Sequence, residues 1–365
     1  MMDHAQMNQA QLEDVLQYFR ERIHTANRER SPLRIHGGES KGWYGHETRG
    51  AALDSRDFQG IVAYDPTELV IQVRAGTPLA TVEAALAEQN QMLAFEPPHF
   101  GDGATVGGAI ATGLSGPRRP AVGAARDFVL GAVLMDGKGD VLQFGGQVMK
   151  NVAGYDVSRL LTGSLGTLGL ILEVSLKVLP KPFAEATLRL DMDQSRAITL
   201  LNQWGGQPLP VSASAWHDGH LTMRLSGAQA AVRAAQQKIG GEALPEADRF
   251  WRDLREQRTD FFSAQPGSAL WRLSLPSTAE PLRLPGNELI EWGGAQRWLR
   301  TEANALEIRA AAAVAGGHAT LFRGGDKSVG VFHPLAPAVA RIHRHLKTAF
   351  DPIGIFNPGR MYRDL

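Results

Sequence analysis

The stretch EPPHFGDGATVGGAIATGLSGPRRP (96–120), continued by GAARDFVLGAVLMDGKGDVLQFGG (123–146) and KNVAGYDVSRLLTGSLGTLGLILEVSLKVLP (150–180), decides how the rest of the chain is read. It strings glycine-rich turns between short apolar runs. Successive backbone N–H groups at such turns can surround a diphosphate without a cationic side chain, and glycine lets the backbone come close enough to do so. The order of turns therefore implies a site for an extended dinucleotide. It is not a G-x-G-x-x-G fingerprint between a strand and a helix, nor a G-x-x-x-x-G-K-[ST] phosphate loop.

Working outward, the preceding segment carries a further glycine turn, Arg34-Ile35-His36-Gly37-Gly38-Glu39-Ser40-Lys41, after an apolar run that reads as a strand. It offers consecutive N–H donors and the Ser40 hydroxyl. Leu12, Val15, Leu16, Phe19 and Ile23 recur at helical spacing and predict an amphipathic helix at the start of the chain. Val129 to Met135 and Val141 to Phe144 read as strands joined by the turn Asp136-Gly137-Lys138-Gly139. Pro180-Lys181-Pro182 disfavours continuing either a helix or a central strand and marks a domain boundary. Beyond it, strands at 185–191, 211–216, 220–225, 269–275 and 318–323 alternate with helical stretches at 194–204, 227–239, 248–262 and 296–315, the pattern of an α+β domain. Four tryptophans there (Trp251, Trp271, Trp292, Trp298) read as core. A last helix is expected to bury Val339, Ile342, Leu346 and Phe350.

Bulk composition narrows the function. The chain has 365 residues, 43% of them hydrophobic, with 38 basic and 38 acidic side chains and a formal charge of zero, which gives room for two domains and little electrostatic pull toward nucleic acid or a membrane surface. No apolar run reaches the ~18 residues of a spanning helix and the N-terminus lacks a signal-peptide pattern, so a cytoplasmic protein is expected. Cysteine is absent, so any iron–sulfur chemistry must come from another subunit.

Taken in order, the turns resemble the FAD-binding domain of the vanillyl-alcohol oxidase and p-cresol methylhydroxylase family, over residues ~30–182 and again in Phe350-Asp351-Pro352-Ile353-Gly354-Ile355-Phe356-Asn357-Pro358-Gly359-Arg360. The segments EPPHFGDGATVGGAIATGLSGPRRP, RDFVLG, FGGQVMKNVAGYDVSRL and FNPGRMY, with DLREQRTDFFS, WRLSLP and AGGHAT further on, are similar to the FAD-binding subunits of bacterial glycolate oxidases. That resemblance implies an α+β fold with a two-subdomain FAD-binding domain of the p-cresol methylhydroxylase type at 1–182, an α+β cap with an antiparallel sheet at 183–349, and a C-terminal segment, 350–365, returning to the FAD site. It implies glycolate or D-lactate oxidation by a complex with a catalytic flavoprotein subunit and an iron–sulfur subunit, in contact with the inner face of the membrane only through those partners. A scaffold subunit without chemistry and an autonomous hydroxy-acid oxidase are the other readings.

The resemblance also implies site residues. The pyrophosphate would lie near His36, Gly37, Gly38, Glu39, Ser40 and Lys41 and near Thr105, Val106, Gly107 and Gly108, with Pro98 and Gly103 in the same turn. Gly113, Asp127, Gly166, Thr167, Gly169 and Leu170 would line the cofactor, with Asn357 approaching from the C-terminal segment and the isoalloxazine end toward the cap. Side chains at Gly107 or Gly166 would then collide with the pyrophosphate or its cradle. Relatives bound covalently to FAD often use a histidine where this chain has Glu39, so the FAD is expected to be non-covalent. The H-G-D-G-N-x-H and E-H-G segments of catalytic 2-hydroxy-acid relatives are missing. His217, in His217-Asp218-Gly219-His220, and His318 with Arg323 are weak catalytic candidates, the former reading more simply as a hairpin turn. Arg118 and Arg119 suit either carboxylate binding or an interface, and no metal site is expected.

Overall fold

The computed structural model describes residues 8–146, 156–263 and 268–365. The part of FGGQVMKNVAGYDVSRL from 147 to 155 lies outside the described residues. The opening helix, Gln9–Glu29, is closed by a capping box at Asn8 and buries Phe19 and Ile23 against Leu33, Leu53, Leu170 and Phe356. Its apolar stripe is the one read from the spacing. The strand Leu33–His36 pairs in parallel with Ala51–Asp54, a short strand that the sequence did not announce.

An antiparallel five-stranded sheet follows, in the spatial order Ile61–Asp65, Val70–Arg74, Leu170–Lys177, Val129–Met135, Val141–Gly145. The Asp136–Gly139 turn joins the last two as a hairpin, with Gly139 at φ +85°. The helices Leu79–Glu88 and Val106–Thr112 cover this sheet, and Val73, Leu86, Val106, Ile110 and Val174 form its dry core.

The second half holds an antiparallel eight-stranded sheet, ordered Glu242–Ala243, Ala184–Asp191, His220–Gly227, Val211–His217, Asn287–Glu291, Gln296–Arg300, Leu270–Ser274, His318–Arg323. Its central strands are buried in continuous runs, because both faces of the sheet are covered. One face buries Trp271, Leu299, Ala319 and Leu321 against the helix Ala305–Val314. The other presents Ala215, Leu289, Trp298 and Phe322 to Tyr44, Leu114 and Leu165 of the first half. The expected helix at 296–315 is therefore two elements: Gln296–Arg300 is a strand, and the helix starts only after Asn304, whose side chain caps it. Likewise 248–262 divides into the helices Ala247–Arg255 and Asp260–Ser263.

The two halves meet through charge as well as apolar packing. Glu96 accepts from Arg118 and Arg224, and Glu185 accepts from Arg118, which is 5% exposed. Arg119 stacks on Trp292, 4.3 Å from its ring centre. Both arginines thus belong to the interface. Trp251, Trp271 and Trp298 are core, whereas Trp292 is half-buried over Arg119 and donates to Gly116 O.

The last helix, Pro337–Phe350, differs from expectation. Val339 and Ile342 are exposed at 41% and 57%, while Leu346 and Phe350 pack on the core of the first half. The return to that half accordingly begins with this helix rather than at 350. Lys347 lies buried on it, and its ammonium donates to Thr167 O at 2.8 Å, Phe356 O at 2.7 Å and Asp351 Oδ2 at 2.6 Å. Asp351 in turn accepts the N–H groups of Gly354, Ile355 and Phe356. Lys347→Met leaves that carboxylate buried without its cation and is expected to lower unfolding free energy by about 3–5 kcal/mol. Denaturant unfolding measures it, and a loss under about 1 kcal/mol would show that the backbone amides alone hold the segment.

Candidate functional site

Between the parallel strand pair, the five-stranded sheet and the C-terminal segment lies a cavity of about 470 Å³. It gathers His36, Gly37, Gly38, Glu39, Ser40 and Lys41 from the first glycine turn, Thr105, Gly107 and Gly108 from the second, Gly166, Gly169 and Leu170 from the third, and Asn357. Four segments remote in sequence thus converge on one space. Pro98, Gly103, Val106, Gly113, Asp127 and Thr167 do not line it. Val106 is in the sheet core, Asp127 accepts from Ala124 N at a local turn, and Gly113 ends its helix at φ +62°. Thr167 bonds Ser164 O and Lys347 and so braces the third turn from behind. Gly103 backs the first turn, and Pro98 faces the cap. Arg34, Glu47, Thr48, Thr112 and Arg360 also line the cavity; of these Arg34, Thr112 and Arg360 stood in the quoted motifs, and Glu47 and Thr48 did not.

The two glycine turns play different parts. The N–H groups of Gly37, Gly38, Glu39, Ser40 and Lys41 have no acceptor among the described residues. Such a run is an anion-binding concavity. The second turn spends its donors internally: Val106 N on Thr77 O, Gly107 N on Ala75 O, and Gly108 N on the Thr105 hydroxyl. The glycine at 107 serves packing, since a Cβ there would lie 2.7 Å from Ala75 Cβ. At Gly166 a Cβ would meet the Asn357 carboxamide at 2.7 Å. Of the two collisions expected, with the pyrophosphate or with its cradle, the described residues show the one with the protein at both places.

Asn357 bridges three segments. Its Oδ1 accepts from Ile35 N at 2.8 Å and its Nδ2 donates to Leu165 O at 2.8 Å, while its own N–H donates to Leu33 O. The carboxamide therefore ties the first strand, the third turn and the C-terminal segment into one wall. Glu39, at φ +53°, is paired with Arg34, which holds its carboxyl below the usual range. His36 lies in the cavity wall with its Nδ1 facing Gly37 O at 3.1 Å. Its Nε2 is buried without a partner among the described residues.

The weak catalytic candidates fall elsewhere. His217 starts a hairpin whose corner residues Asp218 and Gly219 both have positive φ, and its Nδ1 faces Glu288 O on the neighbouring strand. His318 is exposed at the far edge of the cap sheet, its ring 6.2 Å from that of His333. Arg323 stacks on Trp43 at 4.1 Å and Phe100 at 5.2 Å, outside the cavity lining. No cluster of three or more His, Asp or Glu residues among those described is arranged to hold a metal.

Comparison with known proteins agrees with this geometry. A solved structure of p-cresol methylhydroxylase with substrate bound superposes with a TM-score of 0.67 at 14% identity, over 96% of this chain and 87% of that one, which establishes a shared fold. A family model described as an FAD binding domain matches residues 12–145. The glycolate oxidase subunit GlcE of Escherichia coli (strain K12) is 50% identical over 352 residues, covering 96% of this chain and 99% of its own length. The glycolate oxidase subunit GlcD of Bacillus subtilis (strain 168) is 34% identical over 140 residues, 38% of this chain and 29% of that protein. The fold is thus that of the p-cresol methylhydroxylase type of FAD-binding flavoprotein. The chain belongs to the family of glycolate oxidase GlcE subunits.

Two measurements probe the site. A Cβ at Gly38 would lie 1.4 Å from Gly103 O, so Gly38→Ala must push the first and second turns apart. At least a tenfold weaker FAD affinity is expected, read by flavin fluorescence titration; unchanged affinity would remove the first turn from the site. Glu291 is fully buried at the cap face, where burial first of all lifts its carboxyl from 4.5 to about 7, against hydrogen bonds from Trp298 and Gln296. The folded protein then keeps a proton that the unfolded chain loses above pH 4.5. Stability should fall between about pH 5 and 7 by up to about 1.4 kcal/mol per pH unit for that proton, and no further above. Unfolding curves of Glu291→Gln across that range should lack this component of the slope.

Proposed function

We propose that this chain is the FAD-binding subunit of a complex that oxidises glycolate or D-lactate to the 2-oxo acid, working beside a catalytic flavoprotein subunit and an iron–sulfur subunit. FAD sits non-covalently in the 470 Å³ cavity, its diphosphate on the unpaired N–H groups of 37–41, with the unpartnered His36 Nε2 and the Lys41 ammonium as further polar contacts. The donor set fits the group: several free N–H groups, cationic side chains, and an opening long enough to reach from the sheet to the C-terminal segment. When bound, FAD supplies two-electron acceptance. This chain's residues hold it, neutralise its diphosphate and close it off from the cap. Glu39, committed to Arg34, offers no histidine for a covalent link.

One observation carries the assignment of substrate oxidation to the sister subunit. No described residue of the cap from 183 to 336 lines the cavity, and the ground between is filled by aromatic rings. Phe322 lies 5.1 Å from Trp43, 5.2 Å from Tyr44 and 4.7 Å from Trp298, ring centre to ring centre. The void that remains beside them, bounded by Phe100, Arg272, Glu291 and Trp298, measures about 30 Å³ and has no histidine in its wall. That is room for about one or two waters, too little for a 2-hydroxy acid. Oxidation also needs a base for the hydroxyl proton and a cation for the carboxylate within reach of the ring. Those requirements fit a partner subunit better than this chain, whose FAD then serves as an auxiliary electron carrier.

Among the described residues no helix is long and apolar enough to cross a membrane, so membrane contact is assigned to the partners. The test is the visible spectrum of the purified chain before and after anaerobic glycolate. A flavin band that stays oxidised is expected. Bleaching would give this chain its own active site, and absence of flavin would make it a scaffold.

A further inference from the structure

Lys41 differs from the other cations around the cavity. Arg34 is committed to Glu39, and Arg360 donates to the carbonyls of Lys41, Gly42 and Tyr44. Lys41 is 6% exposed, and its ammonium meets only Ser40 Oγ at 3.3 Å, His99 O at 3.1 Å and the face of Phe100 at 5.9 Å. An ammonium has three donors, so one is left without an acceptor among the described residues, on a residue that lines the cavity. No carboxylate among the described residues lies within ion-pair distance of it. Glu256, the acid that acts on it from the cap, instead accepts the N–H groups of His99 and Phe100 and the Arg255 guanidinium. Burial pulls the Lys41 ammonium down to about 8. A desolvated cation without a paired acid is costly unless something bound supplies the missing negative charge.

The location says which part of a bound FAD that is. The N–H run of 37–41 already answers a diphosphate. From the end of that run the Lys41 side chain leaves toward His99 and Phe100, whose N–H groups donate to Glu256 just past the end of the cap helix Ala247–Arg255. We infer that Lys41 faces the flavin ring and sets its redox poise, favouring the reduced state of this subunit's FAD. The inference rests on the FAD reading of the cavity. Two electrons and one proton turn the neutral oxidised ring into a reduced ring with one negative charge; the two-electron donor is the 2-hydroxy acid oxidised on the partner. A cation beside the ring favours that product, and charge near the ring is one of the levers by which a protein tunes this cofactor. For unit charges about 5 Å apart in a partly buried site, the reduced-to-oxidised ratio at a fixed poise changes on the order of ten- to a hundredfold.

The experiment uses the full chain loaded with FAD, its flavin content read from absorption and its reduced-to-oxidised ratio read against a reference dye. In the FAD-loaded fraction Lys41→Met should lower the ratio about tenfold or more, and Lys41→Arg should restore it. Glu256→Gln, which removes the opposing charge while still accepting the His99 and Phe100 N–H groups, should raise the ratio. A Lys41→Met ratio within about twofold of the unsubstituted protein overturns the inference. So does a salt-dependent loss of FAD affinity with the ratio unchanged, since the charge would then serve the diphosphate. Should Lys41→Met not fold, Glu256→Gln decides: an unchanged or lowered ratio overturns it. If the unsubstituted chain takes up no FAD, the cofactor reading itself fails and the inference falls with it.

Discussion

The buried pair of Lys347 and Asp351 is the contact on which the cavity depends. Asp351 collects three backbone N–H groups and one ammonium, and Lys347 spends its three donors on Asp351 and two carbonyls from different segments. Every charge and donor in that knot is satisfied, as a buried ion pair requires to be tolerated. It fixes the turn that follows, and with it Phe356 and Asn357. Asn357 then spans the first strand and the third glycine turn. Without that order the cavity would lack one wall, because the first turn and the third turn make no sheet with each other.

The cap is held by a second satisfied network, in which Glu96 and Glu185 meet Arg118 and Arg224. It has no part in lining the cavity. Its effect is to press the aromatic face of the cap sheet onto Trp43, Tyr44 and Phe100, which seals the cap side of the cofactor site. In the same interface the Arg323 guanidinium, which has no ion-pair partner among the described residues, stacks on two rings and contributes as a flat, weakly hydrated cation.

Much of this was visible in the order of residues. The helical stripe Leu12 to Ile23, the hairpin at Asp136–Gly139, the hairpin at His217–His220 and the five clearest cap strands follow from periodicity and turn chemistry, which act between near neighbours. The errors lie where tertiary packing overrides local pattern. Gln296–Arg300 reads as helix because it is followed by an alanine-rich run, yet it is drawn into the middle of the eight-stranded sheet between two partners. Val339 and Ile342 share a stripe with Leu346, but the last helix meets the first half only through its C-terminal turns.

For the site, the sequence alone showed glycine turns of a kind suited to a phosphate-bearing cofactor, the absence of cysteine chemistry and, by resemblance, that the C-terminal Phe-Asn-Pro-Gly-Arg run belongs with those turns. Only the tertiary structure decided what each turn does. Free N–H groups at 37–41 and spent ones at 106–108 are indistinguishable as strings of glycine, because whether a donor is free depends on acceptors such as Ala75 O and Thr77 O that arrive from another strand. The same holds for charge. Lys41 and Lys347 are both buried lysines, and one is fully paired while the other is left facing the cavity, a difference set entirely by which distant carboxylate the fold brings within reach.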